Sequence, residues 1–173
     1  MEVWTLYGSI DNASLWNTTY HLIFTQEEIY QFLVMDKKER RSDLFYTSME
    51  NPTRLMPVAG EISNYKVTKD EVKSLIAENL KRGKEIEANL ESKLKEVPPK
   101  FKVIQCSSID KVELTNGNPF SLPELLLESK GEKIKFHLVH NNFQGRGKLQ
   151  DEIFSSYENI LREIFGDKLK VTN

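Results

Sequence analysis

The sequence predicts an α+β domain, and three observations carry that prediction. Residues 1–35 alternate apolar and polar in the manner of strands, a second strand-rich stretch begins near residue 101, and a broad amphipathic helix follows toward the C-terminus. At 173 residues the chain fits a single domain with a sizeable core, residues 1–173, carrying an insertion at 36–100. Its 24 lysines and arginines against 26 acids leave a net charge of −2, which provides no long-range field for nucleic acid or an anionic membrane.

The first strands are "VWTLYGSI", "TTYHLIFT" and "EIYQFLVM", the last two joined by a tight hairpin at Gln26-Glu27. On the second, Tyr20, Leu22 and Phe24 share one face while His21 and Ile23 share the other. An irregular stretch, 36–67, contains the charge run "DKKERR" with Arg40 and Arg41, then Phe45 and Tyr46. Thr68 with Glu71 forms a capping box and Pro98-Pro99 a stop, which predicts a helix of about 29 residues, roughly 44 Å long. Its apolar residues, among them Leu75, Ile76, Leu80, Ile86, Leu90 and Leu94, form a narrow stripe, and Gly83 marks a weak point near the middle.

Beyond the helix, "FKVIQC" and "SSIDKVELT" read as strands, and "ELLLESKGEKIKFHLVH" as a hairpin about Lys130-Gly131. In "KIKFHLV" one face holds Ile134, Phe136 and Leu138, and the opposite face, with Lys135 and His137, is wet. The last helix, about Leu149 to Phe165, carries a broad apolar stripe including Phe154, Tyr157 and Leu161, so it belongs in a core, and Gly166 ends it in a left-handed conformation.

The order of strands, more strands and one closing helix resembles pleckstrin-homology-like domains. "YHLIFTQEEIYQFLV" looks like the paired strands that open GRAM-type and bacterial PH-like domains, and "SSIDKVELTNGNPFSLPELLLESKGEKIKFHL" resembles their second sheet. The resemblance covers residues 1–35 and 101–166. It implies an antiparallel β-barrel or two-sheet roll closed by the C-terminal helix, with 36–100 as a long helical insertion that can be removed without unfolding the rest. PH domains that bind phosphoinositides place lysines and arginines on the first two strands, whereas "YGSIDNASLWNTTYHLIF" has none, so a lipid ligand is not expected.

Local chemistry is sparse. In "HLVHNNFQGRGK" a phosphate loop fails, because Asn142 stands in the first glycine position and Leu149 in the hydroxyl position. His137 and His140 alternate sides of a strand with no acid at ligand spacing, so the segment reads as a polar connector. Cys106, the one cysteine, excludes an intramolecular disulfide and reads as a buried thiol in a reducing compartment. The acid pairs Glu27-Glu28 and Asp151-Glu152 read as turn and helix-start residues.

No metal or cofactor is expected, nor a catalytic residue. The N-terminus carries an acid where a signal peptide needs bases, and no apolar run reaches the ~18 residues of a membrane span, so the expected compartment is the cytoplasm. The expected function is a non-catalytic module for protein–protein binding or assembly. Its expected contacts are Phe45 and Tyr46 as an aromatic anchor, Arg40, Arg41, Asn142 and Arg146 on loops, and Leu90 on a helix that pairs with a second subunit. A single-stranded nucleic-acid binder, resting on the basic-aromatic run, and an enzyme with a dispersed site are the alternatives.

Overall fold

A computed structural model describes residues 6–15, 18–35, 69–118, 120–140, 143–144 and 148–173. In chain order these form β1 (Leu6–Leu15), β2 (Thr18–Thr25), β3 (Glu28–Met35), α1 (Lys69–Ala88), α2 (Leu90–Leu94), β4 (Phe101–Gln105) and a 3-10 turn at Cys106–Ser108. Then follow β5 (Lys111–Thr115), β6 (Glu124–Ser129), β7 (Glu132–Leu138), β8 (Phe143–Gln144), β9 (Lys148–Leu149), α3 (Asp151–Phe165), a second 3-10 turn and β10 (Leu169–Thr172).

Both predicted hairpins form. Thr25 turns into Glu28, whose N–H donates to Thr25 Oγ1 at 3.0 Å. Ser129 pairs with Glu132 across Lys130 and Gly131, whose φ angles of 51° and 82° are the two positive values that a type I′ turn requires. Lys130 takes this conformation while its N–H is held by Asp110 Oδ2 at 2.7 Å.

The barrel does not form. Eight strands lie in one mixed sheet in the order β10-β5-β6-β7-β1-β2-β3-β4, with β10 and β4 as its open ends. The two strand-rich stretches meet twice, through β3 and β4 in five residue pairs and through β1 and β7 in two, Ala13 with Leu138 and Ser14 with His137. Closure needs the end strands to pair with each other, and here β3 turns its second face to a helix instead. On one face Ile10, Leu22, Phe24 and Ile29 join Leu127, Phe136 and the α3 side chains Phe154, Tyr157 and Leu161 in the main core. On the other, Ile23, Tyr30 and Phe32 lie under Leu90, with Ile86, Leu94 and Phe101 against them. Strands buried on both faces read as near-continuous apolar runs, which is what "HLIF" and "IYQFLV" are.

The long helical insertion is likewise not what forms. Lys69–Ala88 is a 20-residue helix, interrupted at Asn89 and resumed for Leu90–Leu94. The break falls at Asn89, whose side-chain amide donates to the Glu85 carbonyl at 2.9 Å, and the helix runs unbroken through Gly83. Ile76 packs with Met35, Leu122 and Val139, so the stripe is covered by the chain's own sheet and by the segment after β7. Leu90, offered by the sequence to a second subunit, is 8% exposed inside this packing. Removing Ile86, Leu90 and Leu94 would bare Ile23, Tyr30 and Phe32.

The C-terminal helix is as predicted, with Phe154, Tyr157, Leu161 and Phe165 buried. Gly166 ends it at φ 51°, ψ −121°, outside the left-handed helical region, and the chain continues into β10, which pairs in parallel with β5. The connector after β7 closes as a small β8–β9 pair. Buried Asn116 fixes the start of α3 beside it, accepting from Leu149 N–H and Gly117 N–H at 2.9 Å each. Thr68 lies outside the described residues, and with it the predicted cap.

Candidate functional site

Strand β1 departs from ideal pairing twice. Its register against β2 slips between Leu6 and Gly8 and again between Ile10 and Ala13, one extra residue each time, and Asn12 adopts φ 49° at the second slip. Bulges bend a strand and re-aim its side chains. Here they open a cleft of about 950 Å³ between β1 and α3, lined by Ser9, Asp11, Lys84, His140, Ser156 and Glu163 among others. Gly8 (φ 146°) lets α3 approach: a Cβ there would lie 2.6 Å from Ile160 Cδ1.

Behind the cleft three ionisable side chains meet from three elements. His21 of β2 is 1% exposed; its Nδ1 lies 3.0 Å from Asp11 Oδ1 of β1 and its Nε2 2.7 Å from Glu87 Oε1 of α1. The Glu87 contact is a well-formed hydrogen bond, whereas the Asp11 contact is close but off the hydrogen-bond line, leaving that buried oxygen otherwise unbonded. Ser9 also bonds Glu87, and Lys84 Nζ stands 3.4 Å from both Glu87 carboxylate oxygens. The ring lies directly against the helix backbone at Gly83, where a Cβ would be 2.5 Å from Nδ1 and 2.9 Å from Cγ and Cε1.

The electrostatics follow from burial opposed by charge. Burial works to raise the Asp11 carboxyl, but the His21 ring close beside it, aided by the charges of Lys84 and His140, holds it below 3.8. Burial likewise opposes Glu87, and Ser9, His21 and Lys84 together hold it below 4.5. His140 is lowered by burial, with Asp11 pulling the other way. The Tyr157 hydroxyl is raised by burial and by Asp11's charge, although the Asp11 backbone bonds it.

Chemically, the three ligand-type atoms lie within 4.8 Å of one another, but the carboxylates address opposite nitrogens of one ring. A single ion can take only one of those nitrogens, so gathering all three groups would require the ring to turn against Gly83. A general base needs an accessible nitrogen within reach of a proton on substrate, and both of His21's are occupied inside the protein. The arrangement is suited to bridging elements.

Of the residues the sequence nominated, Arg40, Arg41, Phe45, Tyr46, Asn142 and Arg146 lie outside the described residues, and Leu90 is in the core. Sequence reading missed Asp11, His21 and Glu87. Two signals were present in the chain: "GSIDN" places turn-forming residues inside a strand, which marks a bulge, and Gly83 interrupts an otherwise strong helix. His137 lies 3.5 Å from Glu124, an acid supplied by the neighbouring strand.

Cys106 is buried in the core, and its thiol is pushed up to about 11 by burial and then by the charge of Glu28. The folded chain is therefore expected to react with iodoacetamide at pH 8 roughly a hundredfold more slowly than the urea-unfolded chain, since the thiolate is the nucleophile. Equal rates, followed by mass spectrometry, would contradict this placement.

No helix among the described residues is long and apolar enough to cross a membrane. Comparison of the chain with protein-family models, with curated proteins and with solved structures finds no match.

Proposed function

We propose that the chain is a non-catalytic module that binds a segment of a partner protein in the cleft between β1 and α3. The observation that carries this is the cleft itself, about 950 Å³ and walled by a strand and a helix anchored in the main core. That volume lies at the upper end of what binding sites use. Rigid walls lower the ordering cost of binding.

The lining favours a polar peptide over a phosphate-bearing ligand. Asp11, Glu152 and Glu163 outnumber Lys84 and His140, and burial disfavours charge on His140. Hydroxyls of Ser9 and Ser156 with the apolar side chains of Ile153 and Ile160 provide the mixture of hydrogen bonds and contact area that a peptide uses.

A displayed random-peptide library separates the readings. Wild-type protein is expected to select peptides that Ser156→Trp, which fills the cleft from an exposed position on α3, no longer binds at an unchanged melting temperature. Selected peptides that bind both proteins equally would sink the cleft as the site. Salt-dependent binding of a labelled single-stranded oligonucleotide would favour nucleic acid instead.

A further inference from the structure

The three ionisable groups behind the cleft also bear on how α1 is held, whatever the cleft binds. An imidazole with one proton has one N–H and one lone pair; with two protons it has two N–H groups and a positive charge. His21 turns a nitrogen toward a carboxylate on each side, Asp11 at 3.0 Å and Glu87 at 2.7 Å. Only the doubly protonated ring donates to Glu87 from Nε2 while setting a positively charged N–H, rather than a lone pair, beside the Asp11 oxygen. We propose that Asp11, His21 and Glu87 form a proton-operated latch that fastens α1 to the sheet and loosens when the ring gives up one proton.

The surroundings leave the ring's charge without a substitute. From β1 come Asp11 and the Ser9 hydroxyl; from α1, Glu87, Lys84 and the bare backbone of Gly83; from the segment after β7, His140, acting on Asp11; and from α3, the Tyr157 hydroxyl on the Asp11 backbone. From β3, the residue paired with His21 is Phe32, which brings no charge. Two carboxylates, the ring and Lys84 sum to zero when the ring is charged and to −1 when it is not. Lys84 is 61% exposed, so its charge is largely screened by solvent.

The carboxylates set the acid limit. Both are held below their ordinary values, so their contribution is present above about 3.8 for Asp11 and 4.5 for Glu87 and is lost as pH falls through the lower folded values. Because Lys84 of α1 also lines the cleft, opening the latch would alter that lining.

Amide hydrogen exchange of the full chain, read for α1 against α3 as an internal reference, tests this alongside the NMR shifts of the His21 ring. As the ring signals report loss of one proton, protection of α1 relative to α3 is expected to fall about tenfold or more, in line with the strength of charge-assisted hydrogen bonds. In Glu87→Gln the amide can donate to an unprotonated Nε2, so α1 is expected to stay protected and the dependence to disappear. The latch is overturned if the ring keeps one protonation state wherever the protein is folded, if it titrates while the α1-to-α3 ratio stays constant, or if Glu87→Gln retains the wild-type dependence. Should Glu87→Gln fail to fold, the wild-type titration alone decides.

Discussion

Phe154→Ala is expected to lower the free energy of unfolding by about 3–5 kcal/mol, the range for removing a large aromatic ring from a close-packed core. Phe154 is 3% exposed on the inner face of α3. It belongs to the cluster that takes Ile10, Leu22 and Phe24 from the first group of strands and Val112, Leu127 and Phe136 from the second. Within the sheet the half β1-β2-β3-β4 and the half β10-β5-β6-β7 are joined by two residue pairs between β1 and β7, so side-chain packing around α3 supplies much of what unites them. The cavity left by alanine would open at that seam, where neither group can collapse into it without moving relative to the other. Urea unfolding followed by circular dichroism measures the loss. A change below 1 kcal/mol would mean that α3 does not close the core. Phe120→Ala provides the contrast, since that ring is 80% exposed and its removal is expected to stay within about 0.5 kcal/mol.

This expectation was legible in the sequence because α3 announces itself locally. An apolar stripe recurring at threes and fours, with a glycine just past its end, specifies a helix and the face it buries. The hairpins were legible for the same reason, since Lys130-Gly131 between alternating strands fixes both turn and register. The stripe of α1 was equally visible, but spacing alone does not say what covers it. A second subunit and the chain's own sheet demand the same pattern, and the outcome was the sheet, through Ile23, Tyr30 and Phe32.

Barrel closure was misread because it depends on whether the end strands meet, a contact between distant residues that no local pattern records. The four-residue β10 was missed because "LKVT" is too short for alternation to register. The meeting of Asp11, His21 and Glu87 was hidden by separation, the histidine and the glutamate it bonds standing 66 positions apart. His21 read as one polar residue sharing a strand face with Ile23, and nothing local said that α1 covers that face.

Gly83→Leu is expected to cost on the order of 3 kcal/mol or more, at the upper end of overpacking penalties, because the side chain would have to occupy the space of the His21 ring. A Cβ alone would lie 2.5 Å from Nδ1, so even Gly83→Ala is expected to destabilise, against the gain of about 1 kcal/mol that alanine normally brings to a helix interior. The ring has little freedom to retreat while Asp11 and Glu87 hold it from two sides. If α1 lifts instead, the 2.7 Å hydrogen bond between His21 and Glu87, one turn further along, is broken and both groups lose their partner. The same geometry predicts a reversal of sign. With His21→Ala the space opposite position 83 is vacant, and in that background Gly83→Ala is expected to stabilise, by up to the ordinary helix gain. A double-mutant cycle in urea reads the coupling directly. Additivity to within about 0.5 kcal/mol would show that ring and helix backbone do not press on each other, whereas a change of sign would make Gly83 the residue that admits His21, and with it the latch, to the interface between helix and sheet.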